Sequence, residues 1–195
     1  MLERPRLLSV NLARDGSVRY RGQVVRTGIF KEPAAGRVRL RKLGLEGDFQ
    51  ADSSVHGGPD KAVYLYPSEH YPFFRELLGR QDLSYGFFGE NFTTEGLLED
   101  EVHAGDVLRI GTAVVRVTTP RGPCFKLGAK AGSPAFVATF LRSRSLGFYL
   151  SVVEEGEVGA GDTIRRLAAD AARPTIAHVI EERYFSAIDR IESLP

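Results

Sequence analysis

The only cysteine of the chain, Cys124, has neighbours that favour reactive sulfur chemistry. It lies in the segment PRGPCFK at residues 120–126, with Arg121 before it and Lys126 after it. Cations near a thiol stabilise the thiolate, which is both a nucleophile and a soft metal ligand. Because two prolines and a glycine interrupt the segment, we predict an irregular loop around Cys124. A lone cysteine can equally be a buried and inert side chain, and the spacing alone leaves both interpretations open.

A second candidate loop carries His56, Gly57 and Gly58 shortly before Lys61. Glycine adopts backbone conformations that other residues avoid, and it lets a ligand approach the main chain closely. His56 and Lys61 could therefore contact an anion at this loop. The alternative is a tight turn with an incidental histidine, and the segment alone favours that alternative.

A third cluster, Gly86–Thr93, places Glu90 and Asn91 among aromatic residues and glycines. A carboxyl group and an amide in apolar surroundings could hydrogen-bond a polar heterocycle. The alternative is a turn whose polar groups are satisfied internally and whose aromatic residues simply pack. The segment alone favours the turn.

The chain lacks the sequence signatures of several enzyme classes. Its four histidines form no HExxH pattern, and one cysteine cannot build a structural zinc site. No GxGxxG opens a helix after a strand, and neither GxxxxGK[ST] nor GxSxG occurs. The patterns of zinc proteases, dinucleotide-binding enzymes, P-loop nucleotidases and serine hydrolases are therefore absent from the sequence.

Charge and hydropathy also narrow the range of partners. Residues 1–42 carry a net charge of +8, residues 43–106 of −10 and residues 107–195 of +3, so the total is only +1. A dedicated nucleic-acid binder is normally strongly basic, so we expect no nucleic-acid partner. No apolar run approaches the roughly 20 residues of a membrane span, and the N-terminus lacks a signal-peptide pattern. We therefore expect a cytoplasmic protein with no membrane partner.

The elements that must position these loops are mainly strands. Alternating or β-rich runs predict strands at residues 7–10, 18–21, 38–41, 62–66, 106–110, 113–117, 147–153 and 163–165. Helices are fewer, and they are predicted to begin at Pro72, at Ser133–Pro134 and at Pro174. Many short strands and 21 glycines favour a mainly β barrel with a few peripheral helices and a C-terminal helix.

Several motifs in a fixed order resemble the MOSC domain family, named for the C-terminal domain of molybdenum cofactor sulfurases. More narrowly, the chain is similar to stand-alone bacterial members of the YiiM type, which are linked to resistance to N-hydroxylated base analogues. The similarity covers about residues 5–166. The motifs are GLEGD at 44–48 with QAD at 50–52, HGG at 56–58 with KAVY at 61–64, FGENFT at 88–93, PRxxC at 120–124, GFY at 147–149 and EEGEVGAGD at 154–162.

The resemblance implies a MOSC-type β-barrel that holds a pterin-based molybdenum cofactor of the molybdopterin type; pyridoxal phosphate is not expected. Cys124 matches the family's cysteine that is proposed to ligate molybdenum, and a soft thiolate suits such a metal. Arg121, Lys61 and His56 could hold the cofactor's phosphate by charge-assisted hydrogen bonds. The remaining candidate cofactor-binding residues are Glu90, Asn91, Gly57 and Gly58.

The function implied by the resemblance is two-electron reduction of small N-hydroxylated compounds. The sequence shows no flavin motif or iron–sulfur cysteines, so electrons would come from a separate reductase. Two alternatives stay open: a sulfur carrier that works through a Cys124 persulfide, and a module that binds or delivers the cofactor without turnover. All three hypotheses place Cys124 or its loop at the centre of the function.

The C-terminal part differs from what the resemblance leads us to expect. YiiM-type relatives usually carry a three-helix module there, whereas here a single helix is predicted from Pro174 onward. We therefore divide the chain into a MOSC β-barrel domain at 1–167 and a linker with a C-terminal helix, an incomplete three-helix module, at 168–195. Either the module is truncated here, or the apolar stripe of this helix packs on the barrel or on a second copy, so a homodimer is also open.

Overall fold

Strands dominate residues 4–51 and 57–186, the parts of the chain that the structure, a computed structural model, describes. The strands are β1 (Arg6–Ala13), β2 (Gly16–Tyr20), β3 (Gln23–Thr27), β4 (Lys31–Pro33), β5 (Val38–Arg41), β6 (Gly44–Leu45), β7 (Val63–Pro67), β8 (Phe92–Glu95), β9 (Val107–Ile110), β10 (Ala113–Pro120), β11 (Phe148–Glu154), β12 (Gly156–Val158) and β13 (Ile164–Ala168). The helices are α1 (Tyr71–Leu78), α2 (Phe125–Ala131), α3 (Phe136–Arg142) and α4 (Ile176–Tyr184). The predicted mainly β class is confirmed.

Eight strands form one large sheet in the order β13-β9-β10-β11-β7-β8-β1-β4. Neighbours are antiparallel except for β7 and β8, which are parallel. The start of β1 also meets the start of β13, because the Leu7 amide donates to Asp162 O at 2.8 Å and the Ile164 amide donates to Pro5 O at 2.7 Å. The sheet thus curls back on itself. Two small sheets, β12-β5-β6 and the hairpin β2-β3, flank it.

The hydrophobic core lies on the inner side of the curled sheet and beneath the helices. Every residue of β7 is buried, which fits an uninterrupted β-rich run with both faces covered. Aromatic rings join this strand to the helices: Tyr66 lies 4.4 Å from Phe88 and 6.0 Å from Phe140 between ring centroids. Phe88 is fully buried, so it fixes the polar loop that follows it to the core.

The end of helix α1 and the start of helix α4 carry residues that are typical of helix ends. Helix α1 ends where the chain turns left-handed at Gly79 (φ 62°), as glycine after a helix allows. The Thr175 hydroxyl caps α4 by accepting from the His178 amide at 3.2 Å. Ile176 and Ile180 are buried, so the first part of the predicted stripe packs on the protein's own core. Its later members lie outside the described residues, and the boundary after residue 167 stays a prediction.

The middle helices differ from the prediction. Helix α3 begins at Phe136, two residues later than Ser133–Pro134 indicates, and no side chain caps it. Helix α2, which directly follows Cys124, is an additional helix that the sequence patterns did not predict. No helix in the described ranges is long and apolar enough to cross a bilayer.

Gly147, just before β11, is a position where we expect any side chain to destabilise the fold. Its φ is +64°, and a Cβ would lie only 2.4 Å from Leu65 O. Gly79 has nearly the same φ, +62°, but a Cβ there would meet nothing within 4 Å. Both Gly→Ala changes incur the left-handed backbone penalty of about 1–2 kcal/mol. Gly147→Ala adds about 1–3 kcal/mol of overpacking.

Urea unfolding of the two variants measures the difference. We expect Gly147→Ala to lower the free energy of unfolding by about 2 kcal/mol more than Gly79→Ala does. Equal losses would mean that the close approach of β7 to Gly147 is not a real constraint.

Candidate functional site

A cleft of about 630 Å³, including the part open to solvent, lies beside Cys124. Its lining comes from residues within 27–31, 48–51, 61–64, 89–91 and 121–126, together with Tyr149. The cleft therefore joins segments that are far apart in the sequence, and among them are the three loops singled out above.

Cys124 lies in the wall of this cleft. Strand β10 ends at Pro120, residues 121–124 are irregular as predicted, and α2 begins at Phe125. Cys124 has extended backbone angles, and its carbonyl accepts from the Leu127 amide at 3.0 Å in the first turn of α2. The cysteine is half-buried, so its thiol is a cleft group and is not sealed in the core.

Arg121 is a buried cation in the wall of the cleft. It is only 6% exposed, and its Nη1 has no hydrogen-bond partner among the described residues. Its guanidinium lies 5.0 Å from the centroid of the Tyr64 ring, a cation–π contact. Burial lowers the pKa of Arg121, but interactions with Tyr64, Tyr149 and Cys124 outweigh burial and raise it overall. The side chain is therefore a charged donor with unused hydrogen-bonding capacity.

Arg121 is also held at its backbone. Its amide donates to Gly147 O at 3.3 Å. The Tyr64 hydroxyl donates to Leu146 O at 2.8 Å. The residues before β11 thus fix both the main chain of Arg121 and the ring beneath its guanidinium.

The charge of the cleft lining is predominantly positive. Lys61 and Lys126 line the cleft with Arg121, and the Lys61 Nζ lies 6.0 Å from the centroid of the Tyr149 ring. Asp48 is the only carboxylate in the described lining, and Lys31 pairs with it. The arrangement suits an anionic ligand.

A buried ion pair forms one wall. The Lys31 ammonium lies 2.6 Å from Asp48 Oδ1 and 2.7 Å from Oδ2, and the two side chains are 8% and 1% exposed. The carboxylate also accepts from the Ala13 amide at 2.7 Å and from Asn91 Nδ2 at 2.8 Å. Burial lowers the pKa of Lys31, although the contact with Asp48 opposes that shift. The pair and Asn91 together connect β4, the loop after β6 and the turn before β8.

Asn91 and Glu90 point in different directions. Asn91 lines the cleft, and its side chain is fully engaged: Oδ1 accepts from the Tyr64 amide at 3.2 Å, while Nδ2 donates to Asp48 and to a main-chain carbonyl. Glu90 is fully buried and is not among the cleft residues. Its Oε1 accepts from the Tyr71 hydroxyl, the Gly86 amide and the Thr93 hydroxyl. Burial raises the pKa of Glu90 despite these bonds.

Lys130 of α2 secures the helix behind the cleft. Its ammonium donates to Ile29 O at 2.9 Å and to Gly86 O at 2.8 Å. Burial is the main reason that the pKa of Lys130 falls to about 8. Since Ile29 lines the cleft, this lysine connects the cysteine-bearing segment to the opposite wall.

The structure brings together part of the predicted set. Cys124, Arg121, Lys61 and Asn91 share one cleft, whereas Glu90, Gly57 and Gly58 are outside its lining. Gly58 (φ 85°) instead starts the 3₁₀ helix Pro59–Lys61 that delivers Lys61 to the cleft. His56 lies outside the described residues. The binding roles of all these residues stay predictions.

Sequence reasoning missed the segment Thr27–Lys31, which forms much of one wall. A signal was available in Gly28, because a Cβ there would lie 2.1 Å from Phe49 O. A glycine that cannot be replaced marks a close approach of two backbones. The sequence did not show that the second backbone is that of Phe49, which also lines the cleft.

Comparison with known sequences agrees with this geometry. A sequence model of the MOSC domain matches residues 52–165, a range that includes Lys61, Asn91, Arg121 and Cys124. The chain belongs to the MOSC domain family. The matched range contains strands β7 to β12 and half of the residues that line the cleft.

Relatives and solved structures extend the match beyond the MOSC core. YflK of Bacillus subtilis (strain 168) is 47% identical over 85% of this chain and 75% of its own length. YiiM of Escherichia coli (strain K12) is 40% identical over 69% of this chain and 61% of its own length. A protein of Gibberella moniliformis named Reductase is 35% identical over 75% of this chain but only 26% of its own length. The crystal structure of YiiM from Geobacillus stearothermophilus has a TM-score of 0.77 at 32% identity, over 98% of this chain and 92% of that chain.

The Lys31–Asp48 pair generates a stability prediction. Lys31→Met leaves the Asp48 carboxylate buried without its cation, and breaking a buried pair in this way costs about 3–5 kcal/mol. Arg80→Met, which removes an exposed pair with Asp82, should cost far less, because solvent screens exposed ion pairs. Urea unfolding compares the two variants. A loss for Lys31→Met no larger than that for Arg80→Met would contradict a structural role for the pair.

Lys130 should make stability depend on pH in an unusual direction. The unfolded chain keeps this proton up to a pKa of about 10.4, whereas the folded protein loses it near pH 8. Between these values the unfolded state binds more protons, so the free energy of unfolding contributed by Lys130 rises with pH, by up to about 3 kcal/mol.

The measurement is urea unfolding of the wild type and of Lys130→Met from pH 7 to pH 10. The wild type should gain stability relative to the variant as pH rises. Lys130→Arg, which stays charged throughout this range, should also lack the gain. A difference between wild type and Lys130→Met that stays constant with pH would rule out the proposed protonation change.

Proposed function

We propose that this MOSC protein binds the molybdenum cofactor and reduces small N-hydroxylated compounds with electrons from a separate reductase. The observation that carries the proposal is the pairing of a half-buried thiol, Cys124, with a buried cation, Arg121, whose Nη1 has no hydrogen-bond partner among the described residues. Membership of the MOSC family supports the cofactor class. The relative named Reductase, in which the similar region is about a quarter of the chain, supports redox chemistry.

The residues present fit an anionic, metal-bearing cofactor. Arg121 would donate its unused N–H groups to the cofactor's phosphate, with Lys61 and His56 as further cationic or polar contacts. Cys124 would supply the thiolate that suits a soft metal centre. Asn91 would shape the wall through its fixed hydrogen bonds.

When bound, the cofactor supplies the two-electron redox chemistry. The protein's own groups bind and orient around it. The Tyr64 ring holds the Arg121 guanidinium in place. Burial raises the pKa of Tyr149, so its hydroxyl keeps its proton at neutral pH and remains a hydrogen-bond donor at the cleft. Converting one N-hydroxyl group to N–H takes up two electrons and two protons and releases one water.

The decisive experiment measures molybdenum in protein purified from a host that makes the cofactor. We expect molybdenum in the wild type, and at least a tenfold lower content in Cys124→Ala and in Arg121→Met. Arg116→Met is the matched control, because Arg116 lies on β10 just before Arg121 but is exposed and outside the cleft. The control should retain the wild-type content, and near-zero molybdenum in wild type and variants alike would refute cofactor binding.

Turnover is tested on the same preparations with an N-hydroxylated purine and a dye reductant. The wild type and Arg116→Met should form the product amine. Cys124→Ala should form it at least a hundredfold more slowly, since the variant lacks the metal ligand. Molybdenum without product would favour a binding or delivery module. Mass spectrometry after incubation with a cysteine desulfurase tests the sulfur carrier, which requires a persulfide on Cys124.

A further inference from the structure

An arginine-rich hairpin stands at the edge of the cleft. Strands β2 and β3 pair with each other and with no other strand of the described chain. Their register places Arg19 opposite Val24 and Ser17 opposite Arg26, so the side chains of these pairs share one face. Arg19, Val24 and Arg26 are exposed, with Val24 at 66%, and Arg21 is exposed at the tip. We call Arg19, Arg21, Val24 and Arg26 the arginine face.

The hairpin is joined directly to the site. Tyr20 stacks on Phe125, the residue after Cys124, with ring centroids 4.0 Å apart. The Arg26 guanidinium lies 5.0 Å from the centroid of the Phe49 ring, and Phe49 lines the cleft. Strand β3 also runs without a break into the cleft wall that begins at Thr27. A molecule bound to the arginine face at Arg26 would therefore lie next to Phe49, a residue of the cleft lining.

The composition of this face fits a protein partner with an acidic surface. Arg26 forms an exposed pair with Asp15, whereas Arg19 and Arg21 have no ion pair within the described residues. Arginines around an exposed apolar side chain are typical of protein interfaces. Binding of single-stranded nucleic acid relies on exposed aromatic platforms, but the one aromatic residue of the hairpin, Tyr20, is already stacked on Phe125.

We propose that the arginine face is the docking surface for an acidic electron-carrier protein that reduces the cofactor in the cleft. This inference rests on the proposed function. Each N-hydroxyl group reduced takes up two electrons and two protons and releases water, so a one-electron flavin or iron–sulfur carrier is oxidised twice per turnover. Complementary charge steers such an encounter and makes it sensitive to salt.

The test uses an acidic bacterial flavodoxin as the probe. Its dissociation constant for the full-length protein is measured by calorimetry at low ionic strength, with wild type and with Arg19→Glu/Arg21→Glu. Neither arginine lines the cleft. We expect the double variant to bind at least tenfold more weakly, and the wild-type affinity to fall as salt is added.

The matched control is Arg109→Glu/Arg165→Glu. These exposed arginines face each other across β9 and β13, and no residue of either strand lines the cleft. The control carries the same change in net charge, so it should bind flavodoxin like the wild type. An equal loss of flavodoxin affinity in both double variants would overturn the docking surface, and so would a wild type that does not bind flavodoxin. Binding of a DNA duplex, and not of flavodoxin, that depends on the hairpin arginines would also overturn it.

Turnover separates this inference from the proposed function. With flavodoxin hydroquinone as reductant, Arg19→Glu/Arg21→Glu should raise the KM for flavodoxin at least tenfold and leave kcat unchanged. With a dye reductant it should match the wild type. If the wild type shows no turnover with the dye reductant, that result counts against the proposed function. The docking surface is then still decided by the binding measurement.

Discussion

A carboxylate that is withdrawn from water beside the cleft must be matched by donors, and this requirement organises the site. Asp48 is matched by the Lys31 ammonium, the Ala13 amide and the Asn91 side chain. These donors come from β1, β4 and the turn before β8. An unmatched buried charge is far more costly than a matched one, so the segments can assemble in only one mutual arrangement. The position of Asn91, and with it the Tyr64 amide that Asn91 holds, follows from that arrangement.

Much of the fold could be predicted because its signals are local. Runs of apolar and β-forming residues located most strands of the main sheet, and Gly79 marked the end of α1. Helix α2 could not be found in this way, because it has only seven residues and contains Gly128. Its stability comes from tertiary contacts, namely the burial of Leu127 and the two carbonyls that Lys130 reaches. Propensity arguments do not report such contacts.

The site could be predicted only to the level of loops and motifs. Glu90 and Asn91 are adjacent, so the sequence suggests one shared role, yet one side chain enters the core and the other faces the cleft. The Lys31–Asp48 pair was hidden because its partners are brought together by strand order and not by spacing. One motif of the MOSC resemblance contains both Arg121 and Cys124, and the two residues line one cleft, because motifs carry three-dimensional information that composition lacks.

Arg121 is fastened at its two ends, through its amide to Gly147 and through its guanidinium to the Tyr64 ring, whose hydroxyl is itself fastened to Leu146. A long, flexible side chain is thereby immobilised before any ligand arrives. Ordering such a side chain on association usually costs about 0.5–1.5 kcal/mol. Here the side chain is already ordered in the folded protein, so this entropy is lost on folding and not on ligand binding. In the proposed function, such a guanidinium would discriminate among anions by shape, because it cannot move to follow an anion that is bound out of line.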